Sequence, residues 1–421
     1  MKRNLSFIAK LSVVAILFFV LFSYAMFQGG FVSWFLFTAF APFLLYMFGL
    51  LLYPLHNWKV ERNLSKRIVQ AGEQISVEVT IRRKTPFPLY YCVVEEFFPE
   101  SLKKKDDHLE KYKHMDQPDI LLQNRKMKRV SFPWFKRTIR HTYELDEVPR
   151  GEHRLWGIRV KTGDFFGFLK KEHVYRVDHT FLAYPYQREV RLKERAYSFE
   201  QGSSPSLTVN YKNTNIVSGV RDYMPGDRYS WIDWKSTARK NTIMTKEFEQ
   251  EKSMDMLLVL DASESENLTS VAFEGMVELT NSLMDEIRRR TSQLAIMTLG
   301  NQRIYFPFHS DQSNRTLIQK HLSVVQPTGE MPFAQQLEKE RAQMPNGLVT
   351  LVVTSEISLD LNKALERLSQ KSKRVTLFVV RPKRHISELE RKWLKQLSFH
   401  NITVNILTED QFTQREFEVS T

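Results

Sequence analysis

The chain opens with two nearly unbroken apolar stretches, residues 6–27 and 31–53, parted by Gln28-Gly29-Gly30. Each has about 20 residues, enough to cross a bilayer as a helix, and the Gly-Gly turn makes the pair a hairpin. Pro42 falls inside the second stretch and is expected to kink it. From Val60 to about Pro185 the pattern takes a period of two. Ile75-Ser76-Val77-Glu78-Val79-Thr80-Ile81 alternates apolar with polar, and residues 89–98 and 154–160 repeat the style. Short strands at this spacing, broken by Gln70-Ala71-Gly72-Glu73 and Thr85-Pro86-Phe87-Pro88, predict a small antiparallel β domain of sandwich type. Residues 101–128 are charged and irregular, and read as an insertion or long loop.

Beyond Met254 short apolar runs alternate with amphipathic ones. Residues 257–260, 294–299, 348–353, 375–380 and 402–407 read as buried strands; 268–290, 313–324, 333–343, 361–369 and 386–397 read as helices. That alternation predicts a doubly wound α/β domain with helices on both faces of a parallel sheet. The expected fold class is therefore multi-domain. A transmembrane helical hairpin fills 1–58, an antiparallel β-sandwich-like domain 59–185, a linking segment 186–253, and the α/β domain 254–421.

Charge gives the hairpin an orientation. Lys2, Arg3 and Lys10 precede it, Lys59, Arg62, Lys66 and Arg67 follow it, and no Asp, Glu, Lys or Arg lies between Lys10 and Lys59. Both ends are expected in the cytoplasm, giving a multi-pass protein of the cell membrane with cytoplasmic soluble domains. The formal charge of +13 then has a lipid partner. Lys103-Lys104-Lys105, Lys111, Lys113, Arg125, Lys126, Lys128, Arg129, Lys136, Arg137 and Arg140 follow the anchor, and anionic lipid attracts such residues at ~1 kcal/mol each near the surface. No nucleic-acid-binding signature accompanies them, so nucleic acid is not an expected partner. The single Cys92 cannot form an internal disulfide, in keeping with a reducing compartment. His108, His114, His141, His153 and His173 show no recurrent ligand spacing and read as solvated or structural.

The chemistry concentrates in two places. Asp261-Ala262-Ser263-Glu264-Ser265 follows the apolar run Met256-Leu257-Leu258-Val259-Leu260. An acid and two hydroxyls at alternate positions past a strand's carboxyl end form one lobe of a hard-cation site, and Mg²⁺ prefers such oxygen ligands. One carboxylate would leave the ion undercharged and open to an acidic group on another protein. Loop and helix capping is the competing use of the same residues. The second place is Gly219-Val220-Arg221-Asp222-Tyr223-Met224-Pro225-Gly226-Asp227-Arg228, with Ile232-Asp233-Trp234-Lys235, Ala238-Arg239 and Lys246-Glu247-Phe248 after it. Pro225-Gly226 suits a type II turn. The fixed charges there could serve a nucleotide pocket, a catalytic pair or a salt-bridge lattice; no phosphate-binding glycine loop, His or Cys lies nearby.

The Asp261 motif, at the end of the first strand of an α/β domain, resembles the metal-ion-dependent adhesion site of the von Willebrand factor type A fold. The resemblance covers about residues 254–410. It implies a further hydroxyl from Thr328, in Pro327-Thr328-Gly329, and an acid after the fourth strand. There the family's Thr-Asp-Gly is replaced by Thr354-Ser355-Glu356, so Ser355 stands in the acid's place and Glu356 follows it. The metal set so implied is Asp261, Ser263, Ser265, Thr328 and Glu356. The second block, with Arg221, Asp222, Gly226, Asp227, Asp233, Trp234 and Arg239, is similar to the core of the bacterial domain-of-unknown-function 58 family. Arg150-Gly151 and Thr162-Gly163-Asp164-Phe165-Phe166-Gly167 fit it too. That resemblance covers nearly the whole chain and implies a partner of the MoxR-type AAA+ ATPase class.

Three readings follow. The first is a non-enzymatic adaptor or scaffold that docks partner proteins through Mg²⁺, with the 219–239 block setting the angle between domains. The second is an enzyme acting through Asp227, Asp233 and Arg239 on an envelope precursor or phosphate-bearing substrate. The third is an interaction surface without metal, in line with Ser355. The first is the expectation carried forward.

Overall fold

In the computed structural model the apolar N-terminal stretches form two helices, α1 (Lys2–Gln28) and α2 (Phe31–Leu52). Gly29 turns the chain between them at φ +56°, a conformation L side chains rarely adopt. Phe37 of α2 packs against Phe18 and Phe22 of α1, with ring centroids 5.9 Å apart in both pairs. α2 continues as helix through Pro42. Both helices are long and apolar enough to cross a membrane. The structure describes residues 2–193, 217–224, 227, 229–248, 255–290, 293–308 and 312–420. It divides into two compact units, Met1–Tyr186 with Gln319–Val325, and Gln187–Ile318 with Gln326–Thr421.

The first unit adds to the helices a pair of sheets around one core. β1 (Lys59–Leu64), β3 (Ile75–Arg82) and β6 (Thr138–Leu145) make a three-stranded antiparallel sheet in the order β1-β3-β6. β2 (Ile68–Gln70), β4 (Tyr91–Glu96), β5 (Lys128–Ser131), β7 (Gly151–Gly163) and β8 (Lys170–Tyr184) make the other, ordered β2-β8-β7-β4-β5. Its pairs are antiparallel except β2 with β8, which is parallel. Three-residue β2 enters from a turn rather than a hairpin, so its direction is free of that constraint. Alternation decides which face is buried: Ile75, Val77, Val79 and Ile81 of β3 face Val94, Leu155, Ile158 and Val160 of the opposite sheet.

Charge is also buried here. Arg62 and Glu96, both with fully buried side chains, form an ion pair; Arg62 also donates to the carbonyls of Leu155 (2.9 Å) and Val177 (2.6 Å). Tyr143 donates to the other Glu96 oxygen at 3.0 Å. Burial nevertheless pushes the Glu96 carboxyl above the usual range. Residues 101–128, read as irregular from their charge, are ordered by that charge. Lys111 is buried on Asp106, with Nζ 2.8 and 2.7 Å from the two carboxylate oxygens, and half-buried Arg125 donates to Leu102 O and Glu147 O. Lys111 is thereby removed from the surface expected to meet lipid. Arg150 is buried with the end of the 312–324 helix, donating to the carbonyls of Ser323 (3.1 Å) and Val325 (2.9 Å).

The second unit begins with β9 (Glu189–Lys193), followed by β10 (Val217–Asp222), helix α3 (Trp234–Lys240) and β11 (Met244–Phe248). Its main sheet contains β12 (Met256–Asp261), β13 (Leu294–Leu299), β14 (Ile304–Phe306), β15 (Val349–Thr354), β16 (Arg374–Val380) and β17 (Ile402–Leu407), ordered β14-β13-β12-β15-β16-β17. All neighbours are parallel except β14, an antiparallel edge strand on β13. β14 escapes the pattern of the sequence because an edge strand of three residues has too little burial to mark it.

Helix α4 (Ser270–Arg290) covers one face, with α5 (Gln312–Val324) following β14. α6 (Phe333–Arg341), α7 (Leu359–Ser369) and α8 (Glu388–Leu397) cover the other, through Phe333, Leu337, Leu361, Leu365, Leu394 and Leu397. After the short α9 (Glu409–Phe412), β18 (Glu416–Ser420) pairs in parallel with β9. Residues 189–193, placed by the sequence in a linking segment, thus belong with this unit. Arg188 ties down its first residues: the Arg188 amide donates to Ser282 Oγ (2.9 Å) and its guanidinium reaches Glu278 and the carbonyl of Phe412.

Candidate functional site

β12 and β15 are adjacent parallel strands whose carboxyl ends are Asp261 and Thr354. From this pair the sheet grows to β13 and β14 on one side and to β16 and β17 on the other. Strand order reverses here, which opens the crevice where α/β folds bind ligands.

Asp261 is buried at that point. Its Oδ1 accepts from the amide of Ser263 (2.9 Å) and from the Ser263 hydroxyl (2.5 Å); its Oδ2 accepts from the Thr354 hydroxyl (2.6 Å). Thr354 Oγ1 accepts in turn from the amide of Glu356 at 2.9 Å. The Glu356 carboxylate lies at the start of α6, accepting from the amide of Phe333 (3.1 Å) and from the Ser358 hydroxyl (2.7 Å). Ser358 caps α7 by accepting from the amide of Leu361. Two helix starts and two strand ends therefore position the carboxylates.

Three loops close around them. Thr328 N donates to Ala262 O (2.8 Å), and Glu264 N donates to Gly329 O (3.2 Å). A Cβ on Gly300 would lie 2.8 Å from Ala262 O, so only glycine lets these backbones approach. Ser263 is buried, Ser265 half-buried and Thr328 exposed. Backbone bonds thus bring Thr328 beside the Asp261 loop. Ser355, where the resemblance places an acid, is buried.

Burial drives the Asp261 carboxyl up to about 6; the Ser263 and Thr354 hydroxyls and the Ser263 amide oppose the shift, and the charge of Glu356 adds to it. A positive charge beside the Asp261 carboxylate would oppose that shift. The donors are all hard oxygens, matching a small divalent cation, while the presence of only two carboxylates limits the affinity. Among the described residues no group of three or more His, Cys, Asp or Glu forms an alternative metal site.

The 219–248 block forms a separate small motif: β10 and β11 pair antiparallel, with α3 between them in sequence. Arg221 grips Asp227 with two bonds of 2.9 and 2.7 Å, and Met224 N donates to the same carboxylate at 3.0 Å. The Arg221 bond holds the Asp227 carboxyl below its usual range. Asp233 Oδ1 caps α3 through the amides of Lys235 and Ser236. Asp222, Trp234 and Arg239 are exposed. Pro225, Gly226 and Arg228 lie outside the described residues.

Residues 219–401 match the family model described as "Protein of unknown function DUF58". The chain is also 32% identical, over 400 residues, to "Uncharacterized protein YeaD" of Bacillus subtilis (strain 168), an alignment that spans 94% of this chain and 95% of that protein. The chain belongs to the DUF58 family. The DUF58 match begins at Gly219 in β10 and includes both the Arg221–Asp227 clamp and the Asp261–Glu356 crevice. Solved structures similar to this DUF58 chain include the PilB minor pilin from Streptococcus sanguinis, at 8% identity over 77% of this chain and 85% of the pilin, with a TM-score of 0.29. Cwp6 from Clostridium difficile is 10% identical over 86% of this chain and 52% of its own, with a TM-score of 0.17. Likenesses at that level carry no argument about fold or activity.

Sequence reasoning missed Thr354 as an Asp261 partner, although Thr-Ser-Glu at a strand end was the available signal. Glu356, expected from the resemblance as a ligand, has its carboxylate at the start of α6, held by a helix amide contributed from a distant part of the chain.

Proposed function

We propose that this DUF58 chain is a membrane-anchored adaptor. Its α/β unit would act as a von Willebrand A-like docking module, and α1 and α2 would hold it on the cytoplasmic face of the membrane. The observation that carries the reading is the buried Asp261, its carboxyl raised by burial and further by the charge of Glu356, at the point where strand order reverses. Asp261, Ser263, Ser265, Thr328 and Glu356 would hold Mg²⁺. A hydroxyl that donates its proton to Asp261, as Ser263 does, keeps lone pairs for a cation. The bound ion would supply a coordination position for an Asp or Glu from a partner, making docking reversible and divalent-dependent. The partner class that the resemblance implies is a MoxR-type AAA+ ATPase.

Calorimetric titration of the full chain with Mg²⁺ and Mn²⁺ tests the site, with Ser265→Ala and Thr328→Ala alongside. Saturable heat in wild type, lost in both variants, supports it; no heat in wild type rejects metal-mediated docking. A second reading, docking without metal, is favoured by one observation: both oxygens of Asp261 already have donors. It predicts partner recovery that is unchanged by chelator. The enzymatic alternative draws less support, because Asp227 is committed to Arg221 and Asp233 to capping α3.

A further inference from the structure

The fold leaves six aromatic side chains uncovered at one end of the first unit. Phe132, Trp134 and Phe135 lie on the loop between β5 and β6; Phe165, Phe166 and Phe168 lie between β7 and β8. Each is between 47% and 61% exposed. Ring contacts join the two loops: Tyr90 meets Phe132 at 5.9 Å and Phe165 at 4.9 Å. Phe166 meets Phe43 of α2 at 5.5 Å, so the patch runs without a break onto the anchor.

Both loops have several of their backbone groups bonded from inside. Buried Asp164 accepts from the amides of Phe166 (3.1 Å), Phe168 (3.3 Å) and Leu169 (2.5 Å). Buried Arg83 donates to the carbonyls of Phe87 (3.0 Å), Trp134 (2.9 Å) and Lys136 (2.8 Å). Trp134 and Leu89 exchange backbone bonds in both directions. Water would satisfy an exposed loop without such devices. In hydrocarbon every polar backbone group needs an internal partner.

Helix length gives the second argument. Met47, Leu50 and Tyr53 at the end of α2, and Val14 of α1, are part of the core of the β sheets. From Phe31 to Phe43, where contact with the aromatic loops begins, α2 rises only about 18 Å at 1.5 Å per residue. A hydrocarbon core is ~30 Å thick. From Lys10 to Gln28 α1 rises about 27 Å, so the level of Lys10 lies about 9 Å beyond that of Phe43. Interfacial apolar elements are buried ~5–10 Å into the boundary between headgroups and acyl chains.

We infer that the aromatic end of the β unit is set into the bilayer, with phospholipid at the headgroup–acyl boundary as its occupant. The inference rests on the anchor reading and deepens it: the β domain supplies part of the apolar thickness that the hairpin alone lacks. Exposed Lys84, Lys136, Arg137 and Lys170 flank the loops, where they meet anionic headgroups.

The test uses the full chain in phosphatidylcholine–phosphatidylglycerol vesicles. An environment-sensitive fluorophore is attached to Phe166→Cys, Trp134→Cys, Leu45→Cys or Ile68→Cys. The native Cys92 is wholly buried, with its thiol pushed up to about 12, and stays unlabelled. Ile68 pairs with Leu182, at the end of β8 remote from Lys171, whose ammonium caps the last carbonyls of α2. Nitroxide-labelled lipid is expected to quench the Phe166→Cys, Trp134→Cys and Leu45→Cys samples and to leave Ile68→Cys bright. Quenching at Leu45→Cys alone overturns the inference and leaves the anchor intact. Blue-shifted but unquenched emission from the two loop variants means that protein covers the patch, and also overturns it. An unquenched Leu45→Cys sample removes the anchor reading, and the inference with it.

Discussion

Replacing Asp261 with Asn is expected to stabilise the protein at neutral pH when divalent ions are absent. The folded state moves this carboxyl from 3.8 to about 6. Between those values the folded chain holds a proton that the unfolded chain has released, so stability falls as pH rises through the window. The deficit is complete above pH 6 and amounts to about 3 kcal/mol at ~1.36 kcal/mol per pKa unit. Asparagine carries no charge to desolvate. Its oxygen can keep the two Ser263 donors, while the Thr354 hydroxyl loses its acceptor, at about 1 kcal/mol. The net gain is about 2 kcal/mol, or roughly 4–8 °C in Tm for a unit of 150–250 residues. Thermal unfolding of the full chain in nanodiscs, with chelator, at pH 4.5 and 7.5, measures it. Wild type and variant melting together at pH 7.5, or differing by as much at pH 4.5 as at pH 7.5, would refute it. Adding Mg²⁺ should then stabilise wild type and leave Asp261→Asn unmoved. If it moves neither, the metal-free docking reading holds.

The remaining expectations concern the scaffold. Arg62→Ala leaves Glu96 buried without its cation and should cost about 3–5 kcal/mol in urea unfolding, while Arg62→Met combined with Glu96→Leu should recover most of the loss. Burial pulls the His153 imidazole down to about 4. Its stabilising contribution is therefore present above pH 6.5 and is lost as pH falls toward 4, by about 3 kcal/mol, and His153→Gln should flatten that acid limb. Asp233→Ala removes the α3 cap and should cost about 1 kcal/mol without changing the calorimetric response to Mg²⁺. Equal Mg²⁺ heats combined with an unchanged melt would show that the cap contributes nothing.

Periodicity reveals the parts of this fold that are locally encoded. β12, β13, β15 and β16 of the α/β sheet announce themselves because each is covered on both faces and reads as a nearly continuous apolar run, whereas β17, at the edge, leaves Ile406 exposed. The Asp261 loop was visible for the same reason, since a polar burst straight after such a run marks the point where a strand leaves the core at the rim of the sheet. What escaped depends on partners far apart in the chain. Lys59-Val60-Glu61-Arg62-Asn63-Leu64 looks like a solvated edge, yet Arg62 is one of the most buried side chains, because Glu96 and two carbonyls from the opposite sheet receive it. The 101–128 insertion reads as irregular when its charges are taken as surface, whereas Asp106 and Lys111 neutralise each other inside it. β9 and β14 are too short for alternation to mark them, and each is defined by the strand it joins.

The pairing of β9 with β18 sets an order on biosynthesis. Glu189 lies opposite Glu416, so the first strand of the α/β unit leaves the ribosome long before its neighbour exists. The β unit draws nearly all its strands from one contiguous stretch and can close while translation continues. The α/β unit must wait with the β9 edge unpaired until β18 emerges, an interval in which a nascent chain is open to chaperones and proteases. Products that stop short of β18 should therefore be cleared by quality control even when every residue of the Asp261 crevice has been made.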